Sequence, residues 1–144
     1  MAHILIMEDD VDQAYELSNI LTEAGHDVIW RSNAADARAA LETERFDLLI
    51  ADIYVHRRGQ PLPDGGISLI GWMRNAIADP VRAWMAEVPV IAISGAVNLR
   101  GNEYILNIAR SIGATATMAK PIVTEELCAL VSEQLVWGEA RATI

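Results

Sequence analysis

The chain is poor in cysteine, in long apolar runs and in basic residues, and each shortage removes a class of protein. The single cysteine, Cys128, leaves no internal disulfide and no partner for a thiolate metal site or a dithiol redox motif. A lone cysteine usually behaves as a small hydrophobe, so Cys128 is expected to be a buried, unreactive thiol. No apolar run reaches the roughly 18 residues that a membrane helix needs, and the N-terminus carries no cleavable signal pattern. A cytoplasmic protein with no membrane segment is therefore expected. Lys and Arg number 11 against 20 Asp and Glu, a formal net charge of -9, and there is no basic tail. Such a balance argues against nucleic acid, whose phosphates require clustered cations. All the basic residues but Lys120 are arginines. A chain that otherwise uses guanidinium groups marks Lys120 as a place where a compact ammonium is required.

What remains is globular. With 52% hydrophobic and 22% charged residues over 144 positions, the chain suits one domain that buries a core without staples. Near-continuous apolar runs at Ile4 to Met7, Leu48 to Ala51 and Val88 to Ile93, with a weaker one at Thr115 to Ala119, signal strands buried on both faces. A fifth run, His26 to Trp30, follows Gly25, which suits the left-handed position that ends a helix. Between the runs lie segments of helical period. Val11, Ala14, Leu17 and Leu21 share one helix face, and Leu127, Leu130, Val131 and Leu135 share another. Asn33 and Thr124 are suitable helix starts. Strand and helix alternate five times, which implies an α/β doubly wound parallel sheet with helices on both faces. Residues 1–137 are expected to form the domain and 138–144 a short tail, with no output domain attached. The four tryptophans, Trp30, Trp72, Trp84 and Trp137, are expected in the core or at its rim.

Open α/β sheets bind ligands outside the carboxyl ends of their strands. Those positions hold Glu8-Asp9-Asp10, Asp52, Ser94-Gly95 and Lys120-Pro121. Taken singly, each has a plain structural explanation: acids favour helix N-termini, and aspartate, serine and glycine form turns. Four such coincidences in register point instead to one site. Converging carboxylates raise each other's pKa unless a cation neutralises them, and a hard divalent ion such as magnesium suits Glu8, Asp9 and Asp52. A carboxylate also serves as a nucleophile toward phosphorus. Ser94 and Lys120 would then bind the oxygens of the transferred group.

These pieces resemble the receiver domains of two-component response regulators over nearly the whole chain. The matching segments are Ile4 to Asp10, Phe46 to Asp52, Pro63-Asp64-Gly65, Val88 to Gly95, Gly113-Ala114 and Lys120-Pro121. The resemblance implies a flavodoxin-like five-stranded sheet in the order 2-1-3-4-5 and a cis Lys120-Pro121 bond. It implies Asp52 as phosphoacceptor, Asp9 as a direct magnesium ligand, Glu8 as a ligand through water, the Tyr54 carbonyl as a further ligand, and Ser94 and Lys120 on the phosphoryl oxygens. The expected partners are a histidine kinase or histidine phosphotransfer protein and a downstream protein target, for a monomer or weak homodimer. A haloacid-dehalogenase-like phosphatase would need an acid where Tyr54 stands, and a flavodoxin a glycine-rich phosphate loop where Glu8 to Asp10 stand.

Three features depart from the family pattern. The 55–63 loop, with His56, Arg57 and Arg58, is about five residues longer than usual, and the segment between Ser94 and Lys120 is about four longer. Thr117 occupies the place of the family's aromatic switch residue. A pseudo-receiver, acting by protein contact without phosphorylation, is the alternative these departures favour. The resemblance also places Tyr54 and Ala96 beside the path of the water that ends the phosphorylated state. A bulky shield and a residue unable to orient water should both lengthen its life. Tyr54→Asn and Ala96→Glu are each expected to speed dephosphorylation several-fold in magnesium buffer, a ten-fold change corresponding to about 1.4 kcal/mol of barrier. Unchanged or slower loss in both variants contradicts this reading.

Overall fold

A computed structural model describes residues 1–53, 55–57, 60–62, 65–95 and 102–142. The elements run β1 (His3–Met7), α1 (Val11–Glu23), β2 (Asp27–Arg31), α2 (Ala34–Thr43), β3 (Leu48–Asp52), β4 (Val55–Arg57), β5 (Gln60–Leu62) and α3 (Gly65–Arg74). Two 3-10 turns, Asn75–Ala78 and Ala83–Glu87, then lead to β6 (Val90–Ser94), α4 (Asn102–Ile112), β7 (Ala116–Ala119) and α5 (Thr124–Ala142). Five strands form a parallel sheet ordered β2-β1-β3-β6-β7, which is 2-1-3-4-5 when only this sheet's strands are counted. The expected architecture is present. The inserted 55–63 stretch contributes an antiparallel hairpin, β4 with β5, outside that sheet.

The two-residue period of a strand explains why the central runs are apolar throughout. Ile4 and Ile6 of β1, with Leu48, Ile50, Ile91 and Ile93, face Leu17 and Leu21 of α1 and Leu127 and Val131 of α5. Leu5 and Met7, with Leu49, Ala51, Val90 and Ala92, face a second core built from α2, α3 and α4. Alternate residues thus enter opposite cores, and none can be polar. The edge strands β2 and β7 are only half-buried, which is why their runs are weaker.

Local signals behave as their chemistry predicts. Asn33 caps α2 by accepting from the Asp36 N–H at 2.8 Å, and Gly25 takes φ +95° after α1. The Lys120-Pro121 bond is cis. Three expectations require correction. Val11 is 63% exposed, because the first turn of α1 lies beyond the apolar sheet that covers Ala14, Leu17 and Leu21. Cys128 is half-buried, since it follows Leu127 and so falls on the flank of the face α5 buries. The expected tail is helical through Ala142. Gly138 permits this, because a side chain there would press on the Pro89 ring, its Cβ 3.1 Å from Cδ. All four tryptophans are half-buried, at the rim of the cores rather than in their centres.

One arginine fastens the half of the sheet that carries Ser94 and Lys120. The Arg74 guanidinium, at the end of α3, donates to the Gly113 carbonyl from Nε at 3.0 Å and Nη2 at 2.8 Å. Nη1 reaches the Met85 carbonyl at 3.2 Å and the Ala86 carbonyl at 3.1 Å. It thereby joins α3 to the turn before β6 and to the turn between α4 and β7. Charge-assisted hydrogen bonds of this kind contribute about 1.5 to 3 kcal/mol each, and deleting a shared donor strands several acceptors. Arg74→Ala is expected to lose about 2 to 4 kcal/mol in urea unfolding, and Arg74→Lys to recover little, because one ammonium cannot span three carbonyls. A loss below about 1 kcal/mol for Arg74→Ala contradicts this account.

Candidate functional site

The register of the parallel strands brings their carboxyl ends level. Met7 pairs with Ala51, Asp52 with Ile93, and Ser94 with Ala119. The next residue of β1 is Glu8, beside Asp52, and the Lys120 N–H donates to the Ser94 carbonyl at 2.9 Å. Glu8, Asp52, Ser94 and Lys120 therefore stand in a row across four adjacent strands, although up to 112 residues separate them in sequence.

The acidic triplet after β1 divides its labour. Asp10 is the helix cap, its Oδ1 accepting from Asp12 N–H at 2.9 Å and Gln13 N–H at 3.1 Å. Glu8 and Asp9 turn the other way. Glu8, Asp9 and Asp52 each offer a carboxylate oxygen within 4.8 Å of the other two. Glu8 and Asp52 are buried, at 1% and 2% exposure, and Ser94 is fully buried. The Lys120 ammonium bridges the two buried acids, 2.5 Å from Glu8 Oε1 and 3.1 Å from Asp52 Oδ2. Tyr54 and Ala96 lie outside the described residues, as do Pro63 and Asp64.

Two residues that the sequence did not mark help to build this row. Gly66, in the first turn of α3, lies so close to β3 that a Cβ there would sit 2.6 Å from the Asp52 carbonyl oxygen. Only glycine allows that approach. The available signal was a second glycine after Gly65 at a helix start, where it weakens the helix unless packing demands it. Trp30 donates its indole N–H to the Glu8 carbonyl at 2.7 Å and so fixes the turn out of β1. An indole placed beside a strand end needs such a partner, but sequence alone does not say which.

The electrostatics of the row are unbalanced. Burial, then the hydrogen bond and charge of Asp52, push the Glu8 carboxyl up to about 8, although Lys120 pulls the other way. Burial alone would lower the Lys120 ammonium, but the charges of Asp52 and Glu8 outweigh it and leave its pKa raised. One monovalent cation does not compensate three converging carboxylates. The donor set is all oxygen and anionic, as a hard divalent ion requires. Neighbouring ligands around magnesium stand about 3 Å apart and opposite ones about 4.2 Å, so a small contraction of this cluster suffices. The residues fit magnesium, which Glu8, Asp9 and Asp52 would hold together.

A raised carboxyl binds its proton more readily in the folded than in the unfolded chain, so stability falls as pH rises between the two pKa values. For Glu8 that window runs from about 4.5 to about 8, and Lys120 remains charged throughout it. Chelator-treated protein is expected to lose thermal stability from pH 5 to 8, Glu8→Gln to flatten that slope, and magnesium to restore stability most at the upper end. Parallel slopes for wild type and Glu8→Gln would contradict the proposed burial of a proton at Glu8.

Residues 4–132 match the response regulator receiver domain family. The chain is 30% identical over 129 residues to the swarming motility regulation protein RssB of Serratia marcescens, covering 90% of this chain and 51% of that protein. It is 27% identical over 131 residues to the regulatory protein VirG of Agrobacterium fabrum, covering 91% and 45% respectively. The chain thus spans about half the length of these curated relatives. The crystal structure of NtrX from Brucella abortus superposes with a TM-score of 0.79 and 26% identity, covering 99% of this chain and 29% of that one. Among the described residues no helix is long and apolar enough to cross a membrane. With sheet order, strand-end chemistry and a match over 4–132 in agreement, this chain belongs to the response regulator receiver domain family.

Proposed function

We propose that the protein is a switch that takes a phosphoryl group on Asp52 from a histidine kinase or histidine phosphotransfer protein and signals through altered protein contacts. The observation that carries this reading is the buried Asp52 carboxylate with the Lys120 ammonium 3.1 Å from Oδ2, at the level end of the central strands. Receiver domains are signalling modules rather than enzymes with separate substrates, and they bind magnesium at an acidic pocket.

In this reading an Asp52 carboxylate oxygen attacks phosphorus and forms an acyl phosphate as the bond to the donor's imidazole nitrogen breaks. The bonding pair returns to the imidazole. Lys120 leaves Glu8 for an oxygen of the incoming group, and Ser94 holds another. Magnesium, when bound through Asp9 and Asp52, supplies the charge that brings anionic donor and anionic nucleophile together. Gly66 and Trp30 act one step back, fixing the backbone on which Asp52 and Glu8 sit. The phosphorylated state ends when a water oxygen attacks phosphorus and the Asp52 carboxylate leaves, releasing inorganic phosphate, and a cytoplasmic setting agrees with the phosphodonors invoked.

The test is mass spectrometry after incubation with acetyl phosphate and magnesium. One phosphoryl group is expected on wild type and none on Asp52→Asn. Lys120→Arg is expected to fall at least ten-fold in rate, because a planar guanidinium does not replace a point charge held between two acids. Asp9→Asn with Asp52→Asn is expected to abolish magnesium binding. An unphosphorylated wild type would favour the pseudo-receiver, and full phosphorylation of Lys120→Arg would remove the lysine from the mechanism.

A further inference from the structure

The carboxyl end of β1 is tied to β2 twice, once by backbone and once by a side chain. The Glu8 N–H donates to the Arg31 carbonyl at 3.1 Å. In a continued parallel ladder the Glu8 carbonyl would accept from the backbone two residues beyond Arg31. However, β2 ends at Arg31, and Asn33 begins α2 as its cap. The Trp30 indole supplies a donor instead, its Nε1–H donating to the Glu8 carbonyl at 2.7 Å. Trp30 stands opposite Ile6 in the register, so its side chain reaches two residues along β1 toward the site. The ring is half-buried and packs against the core beneath α1 and α5, which holds it in this direction.

This bond acts on Asp9 more than on Glu8. The Glu8 carbonyl and the Asp9 N–H belong to one planar peptide unit, so fixing the carbonyl fixes the plane from which Asp9 departs. The Glu8 side chain leaves the backbone before that unit, and its contact with Lys120 rests on β1. On the other side of Asp9, Asp10 is anchored as the cap of α1 and donates its own N–H to Glu8 Oε2 at 3.3 Å. Asp9 is thus carried between two fixed residues, with a carboxylate oxygen within 4.8 Å of those of Glu8 and Asp52. An indole N–H is neutral and only donates, so it holds the carbonyl without offering an ion a competing ligand.

We infer that Trp30 is a positioning residue for the metal end of the site: its indole N–H, by holding the Glu8 carbonyl, presents the Asp9 carboxylate to magnesium. This deepens the proposed function and rests on the magnesium site which that reading invokes. Groups that orient metal ligands from outside change affinity by about ten-fold or more when removed. Asp52 stands on β3 against Gly66 and makes no use of this bond. Loss of the indole donor therefore weakens magnesium binding, while the nucleophile and Lys120 stay in place.

The experiment measures magnesium affinity by calorimetry for wild type, for Trp30→Phe, and for the chain carrying benzothienylalanine at position 30, a side chain of the same shape with sulfur in place of the N–H. Both replacements are expected to weaken magnesium binding about ten-fold. Their rates of phosphorylation by acetyl phosphate at saturating magnesium are expected to stay at the wild-type value. Trp84→Phe, in the turn that leads into the amino end of β6, is the control and is expected to bind magnesium as wild type does. In NMR spectra of the indole N–H groups, the Trp30 signal is identified by its loss in Trp30→Phe. It is expected to move when magnesium is added, while the Trp84 signal stays. Wild-type affinity in the benzothienylalanine protein would assign the role to the ring and refute the inference. A maximal rate that falls as far as the affinity would refute it too, since the whole site would then be disturbed. If wild type binds magnesium but takes no phosphoryl group, the switch falls and the affinities still decide the role of Trp30. If wild type binds no magnesium, both readings fall.

Discussion

The contact on which the site depends is the Lys120 ammonium lodged between Glu8 and Asp52. Two buried carboxylates on neighbouring strands are tolerable only if something positive lies between them or one keeps its proton. The fold supplies both: Lys120 stands within hydrogen-bond distance of each acid, and Glu8 is pushed toward its neutral form. The three residues come from the first, third and last strands of the main sheet, so the ion pair exists only when those strands lie in register. Gly95 makes room for it, since a Cβ there would lie 3.2 Å from the Lys120 side chain.

That arrangement is held in imbalance rather than at rest. A lysine that already satisfies two acids has no reason to leave them unless a stronger negative charge arrives or a stronger positive charge takes its place. A divalent ion and a phosphoryl group provide one of each. In the proposed function this geometry would become the phosphoryl cradle, on a backbone fixed by Gly66, Trp30 and, more remotely, Arg74.

The sheet was legible because its central strands bury both faces. Ile4 to Met7 and Leu48 to Ala51 contain no polar residue, and the strand-end rule then located Glu8, Asp52, Ser94 and Lys120 without any knowledge of contacts. Whatever depended on three-dimensional approach was not legible. Asp10 cannot be told from Glu8 as a cap until the turn between them is seen, and the need for glycine at 66 comes from the Asp52 carbonyl, fourteen places away. The end of α5 was misplaced for a like reason. Gly138 lies inside the helix, where an added Cβ would press on the Pro89 ring. The insertion was visible as extra length with a basic composition, whereas its pairing into a hairpin was not.

Thr117 shows how one residue changes what a strand can transmit. A buried or rotating aromatic ring reports a shift by filling or vacating volume, and a threonine is too small for that. Its hydroxyl instead accepts a hydrogen bond from Arg110 Nη2 of α4 at 2.6 Å, in a solvent-exposed setting. Thr117 lies in β7, three residues before Lys120, and this bond ties that strand to α4. Hydrogen bonds weaken steeply with distance and angle, and an exposed one contributes only about 0.5 to 1.5 kcal/mol. A link of that size biases the position of α4 by about ten-fold at most, which is enough to shift a population but too little to lock a conformation.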